Sequence, residues 1–212
     1  PGEPYSAALY QRDARAAIDD IMARGLVPVI VGGTGLYVRA ALDEFTFPAG
    51  EIGSRLREAL EARAAEIGAE ALHAELATAD PASAALIHPN NVRRTVRALE
   101  MLAEGRSYAD QAIGFAIRRT HYPGTRYLGL AMDRTALYER IDARVDAMIA
   151  SGLVEEVRSL LASGYRDALT AAQAIGYKEL VPVVDGLADL ADAAAAIKQA
   201  TRRYAKRQLT WF

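Results

Sequence analysis

No cysteine occurs among the 212 residues, so neither a disulfide framework nor a thiolate metal site is possible. Three scattered histidines are too few for a zinc cluster, and no metal-ligating set stands out. No apolar run approaches the roughly 20 residues of a membrane span, which leaves no membrane partner to expect. Neither sign of charge dominates: 25 Lys and Arg face 27 Asp and Glu, a formal net charge of −2. Bulk charge therefore gives no hint of a nucleic acid, and the distribution of cations has to be followed locally. The chain also lacks an initiator Met and a basic-then-apolar leader, opening Pro1-Gly2-Glu3-Pro4 like the middle of a longer protein. With 51% hydrophobic and 25% charged residues, the composition is that of an ordinary globular chain. Its length allows one good core and a smaller attached domain, and a reducing cytoplasm fits.

What is present is organised around residues 27–42. Val27-Pro-Val-Ile-Val31 is a short apolar run rich in β-branched residues, which predicts a strand buried on both faces of a parallel sheet. Gly32, Gly33 and Gly35 then turn the chain, and a helix is predicted over 36–42. Backbone N–H groups at such a helix start face the ligand side of open α/β sheets. The glycines equally suit a tight turn with no ligand, and both readings stand.

Ser6 is a predicted N-cap for a helix reaching Arg24, with Gly25 as its left-handed stop. After Pro48 the pattern becomes helical with short breaks, through an Asp80-Pro81 helix start and a helix from Asn91 to Glu104. Residues 127–132 read as a second strand, and Asp133 caps the next helix. The expected fold class is α/β. A core of residues 1–49 and 118–212 is predicted around a parallel sheet, with 50–117 as a helical insertion domain.

Three stretches concentrate charge. On the helix from Asn91, the stripe Val92, Val96, Leu99 and Ala103 leaves Arg93, Arg94 and Arg97 off the apolar side, where they could meet phosphates. Arg97 can alternatively pair with Glu100 at i+3 in a self-neutralised face. Arg134, Arg140 and Arg144 are mixed with Glu139, Asp142 and Asp146, a pattern common in salt-bridged surfaces. Near the C-terminus Lys198, Arg202 and Lys206 recur every four residues, and 201–212 holds four basic side chains and no acidic one. That basic face can track a nucleic-acid backbone, or be a solvated helix surface.

Ile30-Val-Gly-Gly-Thr-Gly-Leu-Tyr37 resembles the signature of the tRNA dimethylallyltransferases. The stretches 4–14, 93–100, 133–148, 173–178 and 201–212 are similar to later text of that family in the same order. The resemblance implies a P-loop-NTPase-like core and transfer of a dimethylallyl group from its diphosphate to the exocyclic amine of the adenine beside the tRNA anticodon. It also implies Mg²⁺, the anticodon stem-loop of tRNA and dimethylallyl diphosphate as partners, a cytoplasmic location and a monomer. By the same resemblance Arg144 matches a diphosphate-holding arginine, a task that a permanently charged guanidinium suits. Thr34, Arg55, Arg93, Arg94, Arg97, Arg202 and Lys206 match tRNA-contacting positions. So does the segment Gln173, Ala174, Ile175, Gly176, Tyr177 and Lys178, whose backbone N–H groups and lysine would reach phosphate or base.

One departure is large. The family's phosphate loop, G-x-x-x-x-G-K-[ST], occurs nowhere in the 212 residues, and its general-base aspartate precedes the text matched at Pro1. No catalytic residue is therefore expected in this chain, the sheet core is expected to be incomplete, and the isolated chain is expected to be inactive. Three other readings stay open. An RNA-binding module without catalysis would keep the basic segments. An adenine-nucleotide prenyltransferase would not need them, and a small-molecule kinase fragment would require the missing loop.

Overall fold

A computed structural model describes residues 5–47, 54–168 and 170–212. In chain order its helices are α1 (Ala7–Ala23), α2 (Gly35–Leu42), α3 (Arg55–Ile67), α4 (Ala69–Ala79), α5 (Pro81–Ala85) and α6 (Val92–Ala103). They continue with α7 (Tyr108–Ala116), α8 (Arg134–Ala150), α9 (Leu153–Ala162), α10 (Val181–Val184) and α11 (Leu190–Trp211). Capping side chains set many starts: Ser6 accepts from the Leu9 N–H, Asp80 from Ser83, Asn91 from Arg94, and Asp133 from Thr135 and Ala136. Gly25, at φ +72°, ends the first helix in the conformation its position predicts.

The helices divide into two compact units, one built from the chain up to Ala41 together with Gly124–Phe212, the other from Leu42–Pro123. In the first, Val145 of α8, Leu153 and Val157 of α9, Leu180, and Ala193 and Ile197 of α11 form one buried cluster. α1 also holds α2 there: Gln11 donates to the Ala40 carbonyl at 2.9 Å and Arg15 to the Ala41 carbonyl at 3.2 Å, satisfying carbonyls at the helix end. Tyr10 stacks on Tyr37 at 4.5 Å.

In the second unit, α3, α4 and α6 close over Ala64, Leu72 and Val96, and Leu76, Ala84, Ile87 and Ala98 form a neighbouring cluster. The buried side of α6 is wider than the stripe of its aliphatic residues, taking in Thr95, Ala98, Glu100 and Met101 as well as Val96. Two extended segments pair at its edge, with Glu44 donating to the Arg119 carbonyl and His121 to the Leu42 carbonyl, both at 2.7 Å. The helical pattern expected after Pro48 includes residues 48–53, which lie outside the described residues, and its first described helix is α3, capped by Ser54.

The predicted parallel sheet is not formed by the described residues. Segments 27–31 and 127–132 run without strand pairing, and their side chains lie in solvent: Val27, Val29 and Val31 are 85, 78 and 91% exposed, Leu128 and Leu130 95 and 102%. The physical reason is the lack of neighbours. A strand apolar on both faces is stable only when its backbone pairs at the edges and helices cover it above and below. No helix among the described residues is long and apolar enough to cross a membrane.

Removing packing atoms from the first core should therefore cost far more than trimming an exposed valine or leucine. Ile197→Ala is expected to destabilise the chain by about 2–5 kcal/mol in urea unfolding. Leu128→Ala should stay within about 0.5 kcal/mol of the unmodified chain.

Candidate nucleic-acid interface

None of Gly32, Gly33 and Gly35 has a positive φ; Gly33 and Gly35 are required by close approach, whereas a β-carbon at Gly32 would meet open space. The C-terminal part of α11 lies against it. A β-carbon at position 33 would sit 1.8 Å from Gln208 Nε2, and one at position 35 would sit 2.0 Å from Trp211 Nε1. Between these contacts the exposed Thr34 places its hydroxyl 2.9 Å from that of Tyr204. The Arg207 guanidinium stands over the Tyr204 ring at 5.6 Å from its centroid. Beyond it Arg203, Lys206, Arg207, Thr210 and Trp211 line an open groove.

The basic stripe of α11 is not uniformly available. Arg202 donates to both carboxylate oxygens of Asp142 at 2.7 Å, and Lys198 pairs with Asp146 at 2.6 Å. These pairs tie α11 to α8, so that a phosphate meeting Arg202 or Lys198 would have to compete with a carboxylate. The same pairing explains Arg144. The acids two positions to either side of it are engaged by α11, and its neighbours at i−4 and i+4, Arg140 and Met148, offer no anion. Arg144 is exposed and has no carboxylate partner among the described residues.

In the second unit the arginines of α6 separate in the same way. Arg93 and Arg94 are exposed, and neither guanidinium has an ion-pair partner among the described residues. Arg97 is half-buried and takes the second of its two expected places, pairing at 3.4 Å with Glu100, whose side chain is 4% exposed. Arg57 of α3 meets the same carboxylate with two bonds of 2.5 and 3.1 Å, and Ser54 adds a third donor. Burial works against ionisation of Glu100. The Arg57 hydrogen bonds and the charges of Arg57 and Arg97 outweigh it, and hold the carboxyl below its ordinary value of 4.5. Arg55, the first residue of α3, is exposed.

The segment 173–178 is bound to its own unit. The Gly176 N–H donates to Glu179 at 2.8 Å, and the N–H groups of Tyr177 and Lys178 donate to the Ala174 carbonyl. Tyr177 donates its hydroxyl to Glu156 at 2.5 Å, which pushes the phenol's pKa up. The turn thus engages the backbone donors of Gly176, Tyr177 and Lys178 itself. Ala174 is half-buried, Gly176 buried, and Ile175 lies at the surface with Gln173 and Lys178, whose side chains are the polar groups left facing solvent.

A family model described as IPP transferase matches residues 1–212. The chain belongs to the IPP transferase family. Over its whole length it is 53% identical to the tRNA dimethylallyltransferase of Geobacillus thermodenitrificans and 47% identical to that of Bacillus subtilis, spanning 67% of each. Among solved structures it resembles the tRNA isopentenylpyrophosphate transferase of Staphylococcus epidermidis, with a TM-score of 0.62, 37% identity, and coverage of 100% of this chain and 68% of that one. A eukaryotic dimethylallyltransferase acting on tRNA matches with a TM-score of 0.75 and 28% identity, over 99% of this chain and 53% of that one.

In this IPP transferase chain, several residues that shape the surface escape sequence reasoning. Tyr204, Gln208 and Trp211 meet the glycine turn across more than 160 positions, and Arg57 reaches Glu100 across 43. One signal was available: Asp142 and Asp146 repeat the four-residue spacing of Lys198 and Arg202, as two facing helices do.

Removing Arg57 leaves a buried carboxylate short of its main partner, so Arg57→Ala should cost about 3 kcal/mol at neutral pH. The depressed Glu100 pKa contributes stability above the unfolded value of 4.5 and loses it as pH falls through the folded value. The gap between wild type and Arg57→Ala in urea unfolding should accordingly narrow on acidification. A gap independent of pH would assign the loss to packing of the Arg57 stem.

Proposed function

We propose that this chain is the RNA-facing and part of the donor-holding portion of a tRNA dimethylallyltransferase. The reaction transfers a dimethylallyl group from its diphosphate to the exocyclic amine of the adenine beside the anticodon. The observation that carries the reading is that Arg93, Arg94 and Arg144, three of the cations with no acidic partner among the described residues, lie exposed in a chain half identical to tRNA dimethylallyltransferases. An unpaired guanidinium meets a phosphate without first breaking an ion pair, and neutralised phosphates dominate RNA affinity. The Arg203, Lys206 and Arg207 groove ends at Trp211, whose indole offers a stacking face to a base. The target adenine leaves the base stack to be reached.

Arg144 is the residue of this chain proposed for the diphosphate, where it stabilises the negative charge that develops as the donor's carbon–oxygen bond breaks. Among the described residues no three His, Asp or Glu side chains converge to hold a metal ion. Mg²⁺ is commonly held by one or two carboxylates together with substrate phosphates; the ion implied by the resemblance is therefore proposed to bind with the diphosphate in the complete protein, and no step is derived through it. The chain spans about two thirds of the relatives' length. The phosphate loop and general base are assigned to the remainder, and the transfer to the complete protein in the cytoplasm. The same remainder is proposed to complete the sheet: segment 27–31 has the apolar, β-branched character of a central strand, segment 127–132 is short and mostly apolar, and both lie uncovered here.

In fluorescence titrations of anticodon-arm RNA over a salt series, Arg94→Ala in the complete protein should weaken binding and reduce the salt slope by about one unit. Arg12→Ala should change neither, because Arg12 is already paired with Asp13 at 2.8 Å. Unchanged affinity and slope in Arg94→Ala would remove α6 from the interface. The 212-residue chain alone should transfer no dimethylallyl group to that RNA. Turnover by the purified chain would show that its own residues supply the base and the phosphate site.

A further inference from the structure

We propose that Tyr204 is a positioning residue for Thr34, directing the threonine hydroxyl toward a hydrogen-bond acceptor on the bound RNA nucleotide. The inference rests on the tRNA reading above and adds to it a residue of the C-terminal helix. Thr34 is exposed at the tip of the glycine turn, where an unpartnered hydroxyl would rotate among its staggered positions. Tyr204 removes that freedom with a contact of 2.9 Å. Either hydroxyl can donate across this contact; in the proposed orientation the more acidic phenol donates and Thr34 accepts, which leaves the threonine O–H to donate outward.

The surroundings hold the phenol in place. Its ring is half-buried and carries the Arg207 guanidinium at 5.6 Å. One turn further on, Gln208 and Trp211 occupy the space that β-carbons at positions 33 and 35 would need. The glycines thus have a use in this chain that a free turn would not require, since they let α11 come close enough for the Tyr204 hydroxyl to reach Thr34. The same helix carries Lys206 on the exposed side, so one rigid element aims the hydroxyl and presents a cation.

A double-mutant cycle in the complete protein tests this, using Thr34→Val, Tyr204→Phe and the pair. The readouts are the Kd for anticodon-arm RNA, kcat/KM for dimethylallyl transfer to it, and the salt slope. Each single variant should lower kcat/KM about three- to tenfold, the range of one hydrogen bond. The double variant should be no worse than the worse single, with wild-type salt slope and Tm throughout. An impaired Thr34→Val beside an unaffected Tyr204→Phe, or losses that multiply, would overturn the positioning role while leaving Thr34 as an RNA contact. A Tyr204→Phe loss accompanied by a flatter salt slope would mean that α11 has shifted, and also overturns it. No effect in Thr34→Val, or no RNA binding by the wild-type protein, would remove the RNA role of Thr34 and the proposal together.

Discussion

Two carboxylates four residues apart on α8 face two cations four residues apart on α11, and much of what the first unit presents to a ligand follows from that register. Asp142 with Arg202 and Asp146 with Lys198 form the polar edge of a contact whose apolar centre is Val145 and Ile197. Half-exposed pairs of this kind add only about 0.2–1 kcal/mol each, so the buried aliphatic residues hold the helices together and the ion pairs set their alignment. The alignment has a chemical consequence. It consumes two cations of the basic stripe and both acids flanking Arg144, which sorts the surface into charges already neutralised and charges that remain.

A similar sorting operates in the second unit through one buried carboxylate. Glu100 cannot remain ionised and buried without partners, and it takes them from α3 and from its own helix. Arg97 and Arg57 are thereby held in the structure, while Arg93 and Arg94, about one turn nearer the helix start, have no ion-pair partner among the described residues. A helix with three arginines in five residues thus offers two to a partner.

The two uncovered apolar segments connect the fold to the family. Valines before the glycine turn and leucines at 128 and 130 are unusually exposed, and the chain spans about two thirds of the length of the relatives it matches. The turn itself is nevertheless already shaped by its contacts with α11. The part of the site built from Thr34, Tyr204 and the basic groove is therefore held by unit-internal packing and does not depend on the sheet for its local geometry.

Local sequence determined the parts of this protein whose physics is local. Helix starts at Ser6, Asp80, Asn91 and Asp133 were legible because a capping side chain bonds an N–H two or three residues away. The family was legible because its motifs are contiguous text, and that text carried the substrate class. Residues 27–31 and 127–132 were expected as strands and are not strands among the described residues, because a strand also needs partners and pattern alone cannot supply them. Tertiary structure decided which cations are free. Arg202 finds its carboxylate sixty positions away and Arg57 finds Glu100 across forty-three. No window of sequence contains both members of such a pair, and a charge is neutralised by whichever opposite charge the fold brings within a few ångströms.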